Sequence, residues 1–158
     1  MDANAVAQSI NTAFSDWKMS QELLQEIHTE AIDPEEQELR DYLCTISSWQ
    51  EVDDDWFLYY PIPIMSRASF QYLLPYLLRR NLLDDDFDIK PVIEKIAQYP
   101  KRNMLPVLRI DLSMYSAAQI QAIQSALQCL YEQTDEEIGR MHRHLRELIP
   151  LFDTDSTN

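Results

Sequence analysis

A chain of 158 residues with a single glycine, Gly139, has few ways to make tight hairpins or phosphate-cradling loops. That scarcity steers it towards helices. Apolar spacing agrees. Val6, Ile10, Ala13, Phe14 and Trp17 recur at threes and fours and predict a helix over roughly 2–17. Ser20 suits the cap of a second helix bearing Leu23, Leu24 and Ile27. Asp33-Pro34-Glu35-Glu36 reads as a helix start: the aspartate can accept backbone N–H groups, proline fits the first turn, and acids there favour the dipole. Leu39, Tyr42, Leu43 and Ile46 then supply its buried face.

Further along, 49–55 reads as a surface loop, and the prolines at 61 and 63 exclude both helix interior and central strand. An extended, proline-containing segment near 57–65 is expected. Ser66 opens a helix that presents Phe70, Leu73, Leu74, Leu77 and Leu78 on one side and is kinked at Pro75, with Arg79 and Arg80 complementing the dipole at its end. Asp88 suits the cap of a short helix, and 99–111 reads as irregular. Ser116 begins a regular helix through Tyr131. Asp135 caps a last one carrying Ile138, Met141, Leu145, Leu148 and Ile149, which Pro150 ends. The expectation is a mainly α fold, a single irregular helical domain of about six to seven helices over 1–158, with 151–158 a disordered tail.

Size and composition suit that reading. One domain of this length can bury a sizeable core, and 46% hydrophobic with 25% charged residues lies well inside the globular range. Cys44 and Cys129, each within an apolar helical pattern and outside any CxxC spacing, read as buried thiols. No segment has the length and apolarity of a membrane span, nor the pattern of a secretion signal, so a cytoplasmic place is expected.

Tests for chemistry return no catalytic, metal or cofactor site. A calcium loop begun at Asp84 would need glycine and glutamate where Ile89 and Lys95 stand. His142 and His144, two apart on a helix, diverge too far to share a metal. No serine lies in a nucleophile-elbow setting. Arg140, Arg143 and Arg146 recur at threes as a basic stripe, but the spacings of four from Glu136 to Arg140 and from Arg143 to Glu147 read as ordinary surface ion pairs.

Charge is the remaining signal. The net charge is −14, and residues 1–55 hold 14 acids against two bases. Such a field repels nucleic acid and anionic lipid and speeds encounter with a basic protein. Asp53, Asp54, Asp55, Trp56, Glu35, Glu36 and Glu38 are therefore the expected partner-binding residues, acids to steer and an aromatic to anchor. From Trp49 to Leu127 the chain also resembles a family of small bacterial proteins grouped only as an uncharacterised domain. The likeness lies in Trp49-x-x-Val52, Ser66-x-x-x-Phe70-x-Tyr72-Leu73-Leu74-Pro75-x-Leu77-Leu78, and Ser116-x-x-Gln119-x-x-Ala122-Ile123 with Leu127. It departs at Arg67 and Ala68, where the family pattern has proline and glutamate. The resemblance implies a mostly helical fold with Pro75 inside a core helix, and no catalytic residue.

The leading expectation is a non-enzymatic inhibitor or immunity protein that neutralises a basic toxin, a nuclease for instance. An enzyme with a carboxylate site and a helical adaptor or scaffold are the alternatives. A deep acid-lined pocket would favour the enzyme, a shallow apolar patch the adaptor, and a convex acidic surface without a pocket the inhibitor.

Overall fold

The computed structural model describes residues 1–19, 25, 33–98, 105–134 and 139–153. Within them the chain is mainly helical, with seven α-helices and one two-stranded ribbon. The helices are α1 (Ala3–Ala13), α2 (Pro34–Leu43), α3 (Asp54–Phe57), α4 (Arg67–Leu83), α5 (Lys90–Ile96), α6 (Ala117–Gln133) and α7 (Gly139–Leu148). Strands β1 (Ala97–Gln98) and β2 (Val107–Leu108) pair antiparallel; β2 falls within the 99–111 stretch expected to be irregular, and β1 takes the last two residues before it. The expected helix after Ser20 and the caps at Ser20 and Asp135 lie outside the described residues.

Side-chain caps set the helix starts the sequence indicated. Asp33 Oδ1 accepts the Glu35 N–H at 2.9 Å, and Ser66 Oγ accepts that of Ser69 at 3.2 Å. Ser116 and Gln119 cap each other reciprocally, at 3.2 and 2.9 Å. Helix α1 ends at Ala13, earlier than expected, and Trp17 reaches the core from the turn beyond it.

Helix α4 is the centre of the molecule. It was expected to bury one side. Instead α1, α6 and the turn at Trp49–Glu51 pack around it, so that 14 of its 17 residues are buried. Polar groups at its middle are met inside. Gln71 accepts the Asp111 N–H at 3.0 Å and donates to the Asp111 carbonyl at 3.1 Å. Pro75 has no N–H for the carbonyl of Gln71, four residues earlier, and the Tyr115 hydroxyl donates to that carbonyl at 2.7 Å. The next carbonyl, of Tyr72, accepts the Trp17 indole N–H at 2.9 Å.

Four further expectations are corrected. Residues 49–55 are not a surface loop: Trp49 is fully buried, donates its indole N–H to the Phe14 carbonyl at 3.0 Å, and begins a 3-10 turn closed by a Ser48/Glu51 capping box. Residues 57–65 are not uniformly extended, because Phe57 ends α3 and Ile62–Ile64 form a 3-10 turn compatible with proline's fixed φ. Cys44 is exposed, since α2 stops at Leu43 and leaves it on the cap. The chain after Pro150 does not begin as a disordered tail: Ile149–Phe152 continue as a 3-10 turn and Phe152 is 1% exposed. Residues 154–158 lie outside the described residues.

Candidate functional site: an acid-rimmed recess

The seven expected partner-binding residues divide into three groups. Glu35, Glu38, Asp53, Asp54 and Asp55 are exposed. Glu36 is not: it is 2% exposed, sits 3.5 Å from the guanidinium of the fully buried Arg40, and accepts the hydroxyls of Ser69 at 2.8 Å and Tyr60 at 3.0 Å. It holds α2 against α4 and offers a partner nothing. Trp56 is half-buried, stacked on Tyr42 at 4.1 Å between ring centres and on Tyr60 at 5.9 Å. Two of the exposed acids also have internal duties. Asp53 caps the Asp55 N–H at 2.9 Å, and Asp54 accepts the Tyr76 hydroxyl at 2.7 Å.

The residue that organises this face was not singled out. Arg80, expected only as a cation complementing the dipole at a helix end, is 7% exposed. One of its amino groups donates to the Asp54 carbonyl at 3.2 Å and to the Tyr76 hydroxyl at 2.9 Å. Its Nε lies 3.7 Å from an Asp84 carboxylate oxygen, and its guanidinium covers the Phe87 ring at 4.4 Å. Arg80 thus joins two acidic runs, Asp53–Asp55 and Asp84–Asp88, that lie some thirty residues apart in the chain. The neighbouring Asn81 donates to the Phe87 carbonyl at 3.0 Å, and Asp84 accepts the Asp86 N–H at 3.0 Å, so the second run is pinned to the end of α4.

Beside the second run opens a recess of about 320 Å³. Leu58, Tyr60, Pro61, Ile62 and Pro63 form one wall, Phe87 and Pro91 the other; Arg80 reaches it from α4, and Asp84, Asp86 and Asp88 bring in carboxylates. Tyr59, 89% exposed, follows Leu58 of that wall in the chain. The acids at the start of α2 reach this wall through Tyr60, whose hydroxyl donates to Glu36. Burial, and then the charges of Glu36, Glu35 and Asp33, hold its hydroxyl in the protonated form well above the usual tyrosine range. Burial and the hydrogen bond to Asp54 push Tyr76 up as well, against the opposing pull of Arg80.

This is not the convex, pocket-free acidic surface expected of an inhibitor. It is an open, largely apolar recess with a charged rim. The roles of Arg80 and Phe87 were missed because they depend on packing across the sequence. The one local signal was the apolar Leu58-Tyr59 pair directly after an acidic run. Among the described residues no group of three or more His, Cys, Asp or Glu side chains is placed to hold a metal ion. Nor is any described helix long and apolar enough to cross a membrane. Comparison of the chain with protein-family models, curated proteins and solved structures returns no match.

Proposed function

We propose that this chain is a protein-binding module whose acidic face takes a basic protein. The observation that supports the reading best is a recess with apolar walls that carries Asp84, Asp86 and Asp88 at its rim and is tied through Arg80 to the Asp53–Asp55 run. Acids at the rim steer a basic partner, and exposed Leu58 and Tyr59 offer the apolar contact that makes an encounter last. The open recess with apolar walls favours an adaptor that holds a basic partner, while the charge also suits inhibition of a basic toxin. A nuclease must carry a basic surface to hold its substrate, and a module with a net charge of −14 would cover it. A cytoplasmic place belongs to the same proposal.

The test is capture by the tagged full chain from the cells it comes from, at low and moderate salt, with retained proteins identified by mass spectrometry. Asp55 and Asp86 are the acids to reverse to lysine, because their carboxylates cap no neighbouring turn, unlike those of Asp53 and Asp84. The expected result is a basic protein held by the parent chain, released by moderate salt, and not held by the double reversal while its circular dichroism is unchanged. A partner set indifferent to both salt and reversal would overturn the reading.

A further inference from the structure

The recess is small for its kind. Pockets that enclose a whole metabolite or drug-sized ligand run from about 300 to 1,000 Å³, and at about 320 Å³ this one stands at the lower limit and is open to solvent. It has room for one long side chain. The walls would contact the stem of such a side chain through Pro61, Pro63 and Phe87, and an aromatic ring, Tyr60, flanks them. The charge around it is one-sided. Asp84, Asp86 and Asp88 face a single cation, Arg80, whose guanidinium is already committed to Asp54, Tyr76 and Asp84.

From this we infer that the recess is the anchor site for one arginine side chain of a basic partner, its stem against the proline and aromatic walls and its guanidinium on the Asp86 and Asp88 rim. The inference rests on the protein-binding reading above and names its ligand chemistry. Arginine fits better than lysine. Its planar head can stack on an aromatic ring while forking onto a carboxylate, and it gives up its hydration more readily than an ammonium does. The site is also fixed before binding, since Asn81 and Arg80 hold the Asp84–Asp88 loop against α4, and a loop already ordered loses less entropy on docking.

The experiment is a titration of the isotope-labelled full chain with an acetylated, amidated Gly-Gly-Arg-Gly-Gly peptide, followed by amide chemical shifts. Counterpart peptides carry lysine or citrulline in place of arginine. The arginine peptide is expected to move the amides of Asp84, Asp86 and Phe87 and those of Leu58 and Tyr60, the lysine peptide to bind more weakly, and the neutral citrulline peptide not to bind. Asp86→Asn should weaken the arginine peptide roughly two- to fivefold, the worth of one exposed charge pair. Asp85→Asn removes the same charge one residue away, outside the recess, and should leave binding within error.

Equal weakening by both variants, or equal binding of arginine and lysine peptides, would overturn the anchor and leave only a diffuse field. So would shifts confined to other faces. Each of these outcomes is separate from the fate of the module itself, which is decided by salt- and charge-dependent capture of a whole protein.

Discussion

Pro75 removes one backbone donor from the middle of α4, and the carbonyl this leaves, that of Gln71, lies in the core. A buried carbonyl without a donor costs about 1–3 kcal/mol, and Tyr115, 44 residues away, supplies the hydroxyl that prevents it. Tyr115→Phe should therefore lower unfolding free energy by about 2 kcal/mol, measured by chemical denaturation. In a Pro75→Ala background the helix regains its own N–H at that turn, and the same tyrosine substitution should cost visibly less. Equal costs in the two backgrounds would show that the hydroxyl does not serve the carbonyl. A proline at 75 and its consequence for the helix were legible in the sequence. The answering hydroxyl was not, because no local pattern ties position 115 to position 71. Glu36 teaches the same lesson in reverse. Among neighbouring acids it reads as surface charge, and only the approach of Arg40, Ser69 and Tyr60 makes it a buried ion.

Caps and periodicity made most element starts legible, since they act within one turn of the chain. Asp33, Ser66 and Ser116 behave as their residue types demand. Burial on all sides of α4 was less visible. Arg80 and Asn81 imply a wet face near its end, but both are buried, by Asp54 and by the loop that follows the helix. The C-terminal end shows where a correct stop signal misleads. Pro150 does end α7, at Leu148, yet the chain continues in a 3-10 turn that seats Phe152 in the core. Gln124 pins that turn by donating to the Ile149 carbonyl at 3.1 Å and to the Asp153 carboxylate at 2.6 Å. Emptying a buried phenylalanine site costs about 3–5 kcal/mol, so Phe152→Ala should destabilise by about 4 kcal/mol, read as a lowered denaturation midpoint. A midpoint unchanged from the parent would mean that 151–153 belong to a tail after all.

At the scale of the molecule, the acidic runs were legible one by one, but their meeting was not. Asp53–Asp55 and Asp84–Asp88 come together because α3 and the loop after α4 are both tied to Arg80, and that depends on the whole core being assembled. The same assembly buries tyrosine hydroxyls around α4, and this gives a test of the packing that needs no substitution. Burial raises Tyr72 to about 12 and pushes Tyr60, Tyr76 and Tyr115 up further. A raised folded value means that the neutral form is the one the fold prefers. The contribution of these groups is therefore fully present below the unfolded tyrosine value of about 10, and it is lost as pH rises through the folded values. In an alkaline titration their ionisation should lag, with tyrosinate absorbance from them growing only as the helical circular dichroism collapses. Four buried hydroxyls sharing one core would then titrate as a single cooperative event, with unfolding as its cause. Complete tyrosine ionisation near the ordinary value, with helicity intact, would mean that the tyrosines around α4 are solvated, and the recess would lose Tyr60 from its wall.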